Sequence, residues 1–232
     1  MRREEFLTTT LHQLRTPLSS INGYTSVLLT GELGTLNSRQ KETLGRVQEI
    51  CRSMQRLIGK LLTLAQSGVQ RSPLSKEFVD LNQVARDVLR LLQGEVRNKK
   101  LRLVIHLPAQ RTRFWADPND MTQIFLNLLS NAVKFTPKGG RIVLGLSNRS
   151  KKLSIPVADT GIGIPSEDVP KIFEGFYQGD HPEVGAATGS GLGLTIVKRI
   201  VDHYHGQVTL DSRVGKGSRF RVVLPISHPR NS

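Results

Sequence analysis

The amino-acid sequence predicts a two-domain α+β protein, in which an antiparallel helical hairpin precedes an α/β sandwich with a mixed sheet. Three observations support this. Apolar residues near the start recur with helical spacing and are interrupted once by glycines, later residues alternate between strand-like and helix-like patterns, and 232 residues exceed one average domain. We divide the chain into residues 1–67 (hairpin), 68–75 (linker, with Gly68 and Pro73), 76–226 (sandwich) and 227–232 (tail).

The hairpin is predicted by two apolar seams whose members are spaced three and four residues apart in alternation. Residues from Gly31 to Ser38 form the predicted turn between them. Because two helices alone cannot bury seams this wide, we expect two hairpins to pair as a four-helix bundle in a homodimer. The seams consist of Leu7, Leu11, Leu14, Leu18, Ile21, Thr25 and Leu28, and of Leu44, Val47, Cys51, Met54, Ile58, Leu61 and Ala65.

Helices and strands alternate in the second domain. This order predicts a mixed sheet that helices cover on one face. Pro156 falls inside one strand although proline has no N–H to donate, which predicts a bulge or a locally unpaired position. The expected helices are Asn82–Lys99, Pro118–Lys134 and a segment from the glycines at 189–193 to about His205. The expected strands are Leu101–Leu107, Arg141–Ser147, Leu153–Asp159, Gln207–Asp211 and Ser218–Leu224.

Composition excludes several classes of function. The net charge is +14 (33 Lys and Arg minus 19 Asp and Glu), but the excess is spread along the chain and no basic stripe is interleaved with aromatic residues. We therefore expect no nucleic-acid partner. No apolar run reaches the roughly 20 residues of a membrane span, so we expect this segment to be cytoplasmic without membrane contact, whatever a longer parent protein carries. The single cysteine, Cys51, fits a buried thiol in a reducing compartment.

The first informative string runs from Phe6 to Leu18. A histidine on a helix is most often an ordinary polar surface residue. Here His12 follows Leu11 of the first seam by one position, so we expect its ring at the solvent-exposed edge of the packed face. Pro17 removes a helix hydrogen bond one turn later and is expected to bend the helix. A proline at this place in a bundle helix indicates a special role for the segment.

The second string places Asn127, Asn131 and Lys134 on one face of a predicted helix. An amide oxygen is a suitable ligand for Mg²⁺, which keeps several waters and binds nucleotide phosphates alongside few protein ligands. The lysine supplies positive charge for the same phosphates. The alternative is a solvated helix face, but asparagine is a poor helix former and two of them need a reason.

The third string, from Asp159 through Gly161 and Gly163 to Pro165, follows a predicted strand. A buried carboxylate at a strand end can accept a hydrogen bond from an adenine amino group, and glycines let the backbone approach a flat base. The alternative is a tight turn in which the aspartate caps the backbone.

The fourth string, Gly189 to Thr195, carries three alternating glycines at the start of a predicted helix, where amide donors face phosphate. No Gly-x-x-x-x-Gly-Lys-Ser/Thr loop is present, which argues against a P-loop fold. Upstream lies a segment with Phe176 and Tyr177, followed by a stretch rich in glycine and alanine that would suit a lid over a ligand.

In this order, the strings resemble the sequence boxes of sensor histidine kinases. The first resembles the phospho-acceptor box His-Glu/Asp-Leu-Arg-Thr-Pro-Leu, except that Gln13 replaces the acid. The others resemble the N, G1, F and G2 boxes of the ATP-binding domain shared with gyrase, MutL proteins and the large heat-shock chaperones. The resemblance covers about Glu4 to Pro225 and implies three catalytic residues, one metal ligand and a set of ATP-binding residues. The catalytic residues are His12, Gln13 and Thr16, the Mg²⁺ ligand is Asn131, and the ATP-binding residues are Asn127, Asn131, Lys134, Phe135, Asp159, Gly161, Gly163, Ile164, Phe176, Tyr177, Thr188, Gly189, Ser190, Gly191, Leu192 and Gly193.

The resemblance implies phosphorylation of His12 by ATP, followed by transfer to an aspartate of a response-regulator protein. It also implies that Thr16 orients a water for dephosphorylation of that partner. Two other classes stay open. A pseudokinase scaffold that binds ATP is supported by Gln13 alone. An ATP-hydrolysing clamp is disfavoured because Asn127 stands where the gyrase branch has a glutamate base.

Overall fold

The computed structural model describes residues 3–66, 76–179 and 190–226, and the chain divides into two compact units, Met1–Arg71 and Ser72–Ser232. The first unit is a hairpin of α1 (Arg3–Thr30) and α2 (Ser38–Gln66). Glycines with positive φ, Gly31 and Gly34, form the turn. Asn37 caps α2 in a reciprocal pair: the Gln40 N–H donates to Asn37 Oδ1, and the Asn37 N–H donates to Gln40 Oε1, both at 2.9 Å.

The hairpin buries only part of each seam. Leu18, Cys51 and Ile58 are between 4% and 7% exposed and form its core, which agrees with the expectation for Cys51. In contrast, Leu14 and Ile21 are 48% and 44% exposed. Apolar residues of α1 that α2 does not cover therefore remain exposed.

The main sheet of the second unit has, in its described residues, five strands in a row and a short sixth strand beside one of them. This sheet runs in the order β2 (Arg102–His106), β4 (Arg141–Gly145), β6 (Lys152–Asp159), β8 (Gly217–Pro225) and β7 (Gln207–Arg213), and β5 (Ser147–Arg149) pairs with β6. Among the described strands of this sheet, β2 and β4 form the one parallel pair. A separate antiparallel pair joins β1 (Glu77–Asp80) to β3 (Arg113–Ala116). Strands β1, β3 and β5 were not predicted from the sequence.

In the described residues of this unit, four helices accompany the sheet: α3 (Leu81–Leu91), α4 (Gln93–Asn98), α5 (Pro118–Phe135) and α6 (Gly193–His203). Alternate residues of the central strands are buried, whereas their neighbours are more exposed, so the helices cover one face as predicted. The two-domain α+β architecture with a mixed sheet is confirmed. The buried strand residues are Ile142, Leu144, Leu153, Ile155, Val157, Phe220, Val222 and Leu224.

The prediction of one continuous helix over Asn82–Lys99 was wrong. Leu92, with φ −89° and ψ −2°, separates α3 from α4. Gly94 lies in the first turn of α4, and glycine disfavours a helix interior by about 1 kcal/mol relative to alanine. The break therefore occurs two residues before a residue with low helix propensity.

Pro156 occupies a gap in the β ladder. Pairing of β6 with β4 extends to Val157, pairing with β5 resumes at Ser154, and the two residues between them are unpaired on this side. Gly145 lies opposite, where a Cβ would come within 2.8 Å of the Pro156 Cγ. The locally unpaired position expected from the sequence is therefore present, and a glycine makes room for the proline ring.

The start of α5 is stabilised by a neighbouring residue, Asp117, and by a residue distant in the sequence, Tyr204. Asp117 Oδ1 accepts the Asn119 N–H at 2.8 Å, and Pro118 occupies the first turn, where its missing N–H costs nothing. The hydroxyl of Tyr204, just after α6, accepts the Asp117 N–H at 2.9 Å and donates to Asp120 at 3.1 Å. Burial raises the pKa of this phenol far above its usual range. Tyr204 thereby links the end of α6 to the start of α5.

Candidate functional site

Asp159 ends β6 and is half-buried. Its Oδ1 accepts hydrogen bonds from the backbone N–H groups of Gly161 (2.8 Å) and Ser218 (3.3 Å). Burial raises the pKa of this carboxyl above its ordinary value, and the two N–H groups oppose that rise without cancelling it. Within the described residues, Asp159 Oδ2 accepts no hydrogen bond. One carboxylate oxygen is thus held by the backbone while the other remains available to a donor.

Two glycines let the loop after Asp159 lie directly against other backbone segments. A Cβ on Gly161 would be 2.6 Å from the carbonyl oxygen of Phe135. Gly163 has a φ of +73°, and a Cβ there would overlap the carbonyl group of Arg213. Both positions therefore require glycine, the second for its backbone conformation as well.

Backbone hydrogen bonds attach this loop on two sides. The Ile162 N–H donates to the Phe135 carbonyl at 3.2 Å, at the end of α5. On the other side, the Gly215 N–H donates to the Ile162 carbonyl at 2.7 Å, and the Ile164 N–H donates to Ser212 Oγ at 2.9 Å. The loop thus bridges the last turn of α5 and the turn between β7 and β8.

The polar residues of α5 differ in their surroundings. Asn127 is buried, and its Oδ1 would lie 3.0 Å from a Cβ on Gly193. Because Gly193 has no side chain, α6 can begin close to α5. Asn131 and Lys134 are half-buried, and Lys134 Nζ lies 4.4 Å from the centre of the Phe135 ring. Within the described residues, Asn131 makes no hydrogen bond through its side chain. Its amide is therefore the one best able to reach a ligand.

No group of three or more His, Cys, Asp or Glu that could hold a metal ion occurs among the described residues. A cation at Asn131 would consequently be bound mainly by amide, water and phosphate oxygens, which is the ligand set that Mg²⁺ accepts.

The start of α6 is packed against the segment containing Phe176 and Tyr177. The Phe176 N–H donates to the Gly191 carbonyl at 3.1 Å, and a Cβ on Gly191 would come within 2.7 Å of the Tyr177 carbonyl oxygen. Tyr177 donates its hydroxyl proton to Asp168. Leu192 is fully buried, whereas Ser190 and Ile164 are half-buried. The predicted residues Thr188 and Gly189 lie outside the described residues.

The predicted catalytic residues lie on α1, in the other unit. His12 belongs to this helix, which continues through Pro17, but its side chain is outside the described part of the chain. The side chains of Gln13 and Thr16 are exposed. The structure therefore places the loop after Asp159 against the end of α5, and it places the start of α6 against Asn127 of the same helix. It describes the hairpin residues separately.

Sequence reasoning missed residues of β7, β8 and their connecting turn that complete the surroundings of Asp159. The Ser218 N–H binds the carboxylate, and Ser212 holds the loop through Ile164. Gly217 has a φ of +99°, and a Cβ there would overlap the Asp159 carbonyl oxygen. Gly215 and Gly217, spaced by one residue just before a predicted strand, were the available signal in the sequence.

Comparison with known proteins defines the class of each unit. Residues 116–228 match the family described as histidine kinase-, DNA gyrase B- and HSP90-like ATPases, and residues 2–69 match the His kinase A (phospho-acceptor) domain. The second unit is thus an ATP-binding domain of the gyrase and histidine kinase type, and the first is a phospho-acceptor hairpin.

Individual relatives contain both parts. The circadian input-output histidine kinase CikA of Thermosynechococcus vestitus is 39% identical over 98% of this chain and 32% of its own length. The histidine protein kinase DivJ of Caulobacter vibrioides is 32% identical over 97% of this chain and 37% of its own length. A crystal structure of full-length ShkA in complex with AMPPNP aligns with a TM-score of 0.81 at 29% identity, over 96% of this chain and 46% of that one.

The chain belongs to the sensor histidine kinases, of which it forms the catalytic core. It spans about a third of the length of these two curated relatives. None of the helices in the described residues is long and apolar enough to cross a membrane.

Proposed function

We propose that this chain transfers the γ-phosphoryl group of ATP to His12 and then presents it to an aspartate of a response-regulator protein. The observation that carries the proposal is the half-buried Asp159 carboxylate, held by two backbone N–H groups beside a glycine loop, in the same chain as the His12 box. We also propose that the phosphotransfer hairpin comprises residues 1–67, the linker 68–75, the ATP-binding domain 76–226 and the tail 227–232.

In the proposed nucleotide complex, Asp159 Oδ2, which accepts no backbone N–H in the part of the chain that the structure describes, accepts a hydrogen bond from the adenine amino group. Lys134 and the N-terminus of α6 face the phosphates, because a helix N-terminus offers free N–H groups and a positive dipole end. Asn131 would hold Mg²⁺, which neutralises phosphate charge when bound. The complex of ShkA with AMPPNP supports nucleotide binding by this type of domain.

In the proposed transfer step, a nitrogen of the neutral His12 imidazole attacks the γ-phosphorus. A phosphorus–nitrogen bond forms, the bond from phosphorus to the bridging oxygen breaks, and ADP leaves. The second imidazole nitrogen then carries a proton that must be released. Asn127 cannot act as a base toward water, which favours transfer to a protein residue over hydrolysis. Thr16, one turn from His12 on α1, would orient a water during dephosphorylation of the regulator.

The test is incubation of the chain with ATP labelled at the γ-phosphate, followed by mapping of the modified residue. Acid-labile, base-stable label on His12, and its absence in His12→Ala, is the expected result. Binding of ATP without any label would instead identify a pseudokinase scaffold, the second candidate, which the exchange of the usual acid for Gln13 favours. Release of free phosphate without phosphohistidine would indicate an ATP-hydrolysing clamp.

The raised pKa of Asp159 gives nucleotide binding a pH dependence. An ionised carboxylate accepts the hydrogen bond from the adenine amino group more strongly than a neutral carboxyl does, so the affinity for nucleotide should fall by about 10-fold or more on acidification through this pKa. The fall should occur at higher pH than an ordinary aspartate pKa of about 3.9 would give. Calorimetric titration with a non-hydrolysable ATP analogue, from neutral pH down toward the ordinary aspartate pKa, measures it.

The control is Asp159→Asn, which should bind more weakly and lose this pH dependence. Without nucleotide the stability effect has a defined sign. Because the folded-state pKa is raised, the contribution of Asp159 to stability is complete below the unfolded-state pKa and is lost as pH rises through the folded-state value. A titration curve shared by the wild type and Asp159→Asn would contradict the assignment of the adenine contact.

We propose a homodimer in which the exposed apolar stripe of the hairpin forms the interface. Leu14→Asp should give a monomer that keeps its helix content, because this side chain is 48% exposed in the hairpin and its charge can remain hydrated there. Ile58→Asp should unfold the hairpin, because it buries a carboxylate at a cost of about 3 kcal/mol or more. Light scattering and circular dichroism distinguish the two, and a dimeric Leu14→Asp would contradict the interface.

A further inference from the structure

Lys99 stands out among the described lysines because its ammonium group contacts three backbone carbonyl oxygens. The residue follows α4 directly and is half-buried. Its Nζ donates to the carbonyl oxygens of Lys134 (2.6 Å), Val133 (2.9 Å) and Thr136 (3.1 Å). An ammonium group has three N–H donors, so this arrangement uses all of them. The three acceptors belong to one place, the end of α5.

The end of a helix needs such partners. Its last carbonyl groups have no donor within the helix, and the negative end of the helix dipole lies there. Here the helix ends without a glycine cap, because Thr136 is extended (φ −85°, ψ 125°) and Pro137 follows. Thr136 donates its N–H and its hydroxyl to the Ala132 carbonyl, at 3.1 and 2.6 Å. The Lys99 ammonium group supplies donors to three of the remaining carbonyl groups.

Within residues 133 to 136, the carbonyl group of Phe135 is the one that Lys99 does not contact, and it accepts the Ile162 N–H at 3.2 Å. Each carbonyl from 132 to 136 therefore has a donor. This single turn also carries Lys134 and supports the loop with Gly161, which fits against the Phe135 carbonyl without room for a Cβ. A shift of the turn would consequently move a phosphate-facing lysine and the loop beside Asp159 together.

The Lys99 backbone is attached to the same region. Its carbonyl accepts the Gly139 N–H at 2.9 Å, and the Arg102 N–H donates to the Gly140 carbonyl at 2.8 Å. These bonds fix the start of β2 against the loop that follows α5. Because the backbone of Lys99 is already fixed by these bonds, less conformational entropy is lost when its ammonium group binds the end of α5.

We propose that Lys99 is a positioning residue for nucleotide binding, which sets the last turn of α5 and, through it, Lys134 and the loop from Gly161 to Gly163. Lys99 touches no nucleotide in this role. The inference rests on the proposed function only in that this site binds ATP.

The test is Lys99→Met in the full chain, with Lys100→Met as the matched control. Both changes remove one positive charge at neighbouring positions, but Lys100 is exposed and its Nζ makes no contact of this kind in the described residues. Calorimetry with AMPPNP, scaled to the folded fraction, should show about a 10-fold loss of affinity for Lys99→Met and less than about a twofold change for Lys100→Met.

Hydrogen exchange supplies a readout that a purely global loss of stability would not give. Under conditions where both variants are fully folded, amides at 133–136 and 161–163 should exchange faster in Lys99→Met, whereas amides of β8 should not. If Lys99→Met does not fold, Lys99→Gln, which keeps two N–H donors, should fold and bind AMPPNP about threefold more weakly than the wild type.

Unchanged affinity in the folded Lys99 variant, or an equal loss in Lys100→Met, would overturn the inference. A wild-type chain that binds no AMPPNP would instead refute the proposed function, so the two failures are distinguishable.

Discussion

Gly163→Ala is expected to lower the affinity for ATP by about 100-fold or more, which corresponds to roughly 3 kcal/mol. The added Cβ would overlap the Arg213 carbonyl group and crowd the Val214 backbone. Both obstacles are main-chain atoms, so no side-chain rotation relieves the overlap. The loop would have to move away from the turn between β7 and β8, with loss of the bond from Gly215 N–H to Ile162 (2.7 Å).

Gly215→Ala is the matched control for this variant. Gly215 has the same φ, +73°, and nothing lies within 4 Å of a Cβ placed there. Both variants therefore incur the left-handed backbone cost of about 1–2 kcal/mol, and only Gly163→Ala incurs the overlap. Titration with AMPPNP and urea unfolding of the ATP-binding domain measure the two effects. Equal nucleotide affinities for the two variants would show that the close packing of Gly163 does not matter for binding.

Local signals explain which elements the sequence predicts well. The expected helix Pro118–Lys134 differs from α5 by one residue, because Asp117 caps its start and Pro118 fits its first turn. Strands β1 and β3 were missed because each has four residues and is stabilised by pairing with a partner about 35 residues away in the sequence. The gap at Pro156 was expected, but the glycine that accommodates it could only be found once β4 and β6 were in register.

The same distinction holds for the site. Asp159 and the glycines after it were identified because the chain itself places them together, within a few residues. The Ser218 amide that also binds the carboxylate is 59 residues away, and its position depends on the pairing of β6 with β8. Lys99 lies 34 to 37 residues from the carbonyl groups it contacts. Partners of this kind depend on tertiary structure, which no local pattern encodes.

Gln13→Glu is expected to raise the rate of phosphohistidine formation by about 10- to 100-fold. In the usual box, the acid beside the histidine is placed to accept a proton from one imidazole nitrogen while the other nitrogen attacks phosphorus. Gln13 can accept a hydrogen bond through its amide oxygen, but it cannot take up the proton or balance the positive charge that develops. General-base assistance typically contributes about 10²–10⁴-fold, so we expect its absence to leave a slow autokinase rather than an inactive one.

Gln13→Glu should change the availability of a general base without changing the fold. The side chain at position 13 is exposed on α1, and Glu and Gln have similar helix propensities, so the fold of the hairpin should not change. Near neutral pH an exposed glutamate, with a pKa of about 4.3, is ionised and able to accept a proton. Single-turnover measurements at saturating ATP remove any contribution from nucleotide affinity.

Two further variants complete the experiment on Gln13. His12→Ala gives the background level of labelling, since no phosphohistidine can form at this position without the imidazole. Gln13→Met keeps the length of the side chain without its oxygen, so a rate below that of the wild type would show that the amide hydrogen bond itself assists transfer. A higher rate for Gln13→Glu alone supports the missing-base account. No change, or a fall, would mean that Gln13 is compatible with full activity, and the slow-autokinase hypothesis would have to be abandoned because the proton then leaves by a route that needs no neighbouring acid.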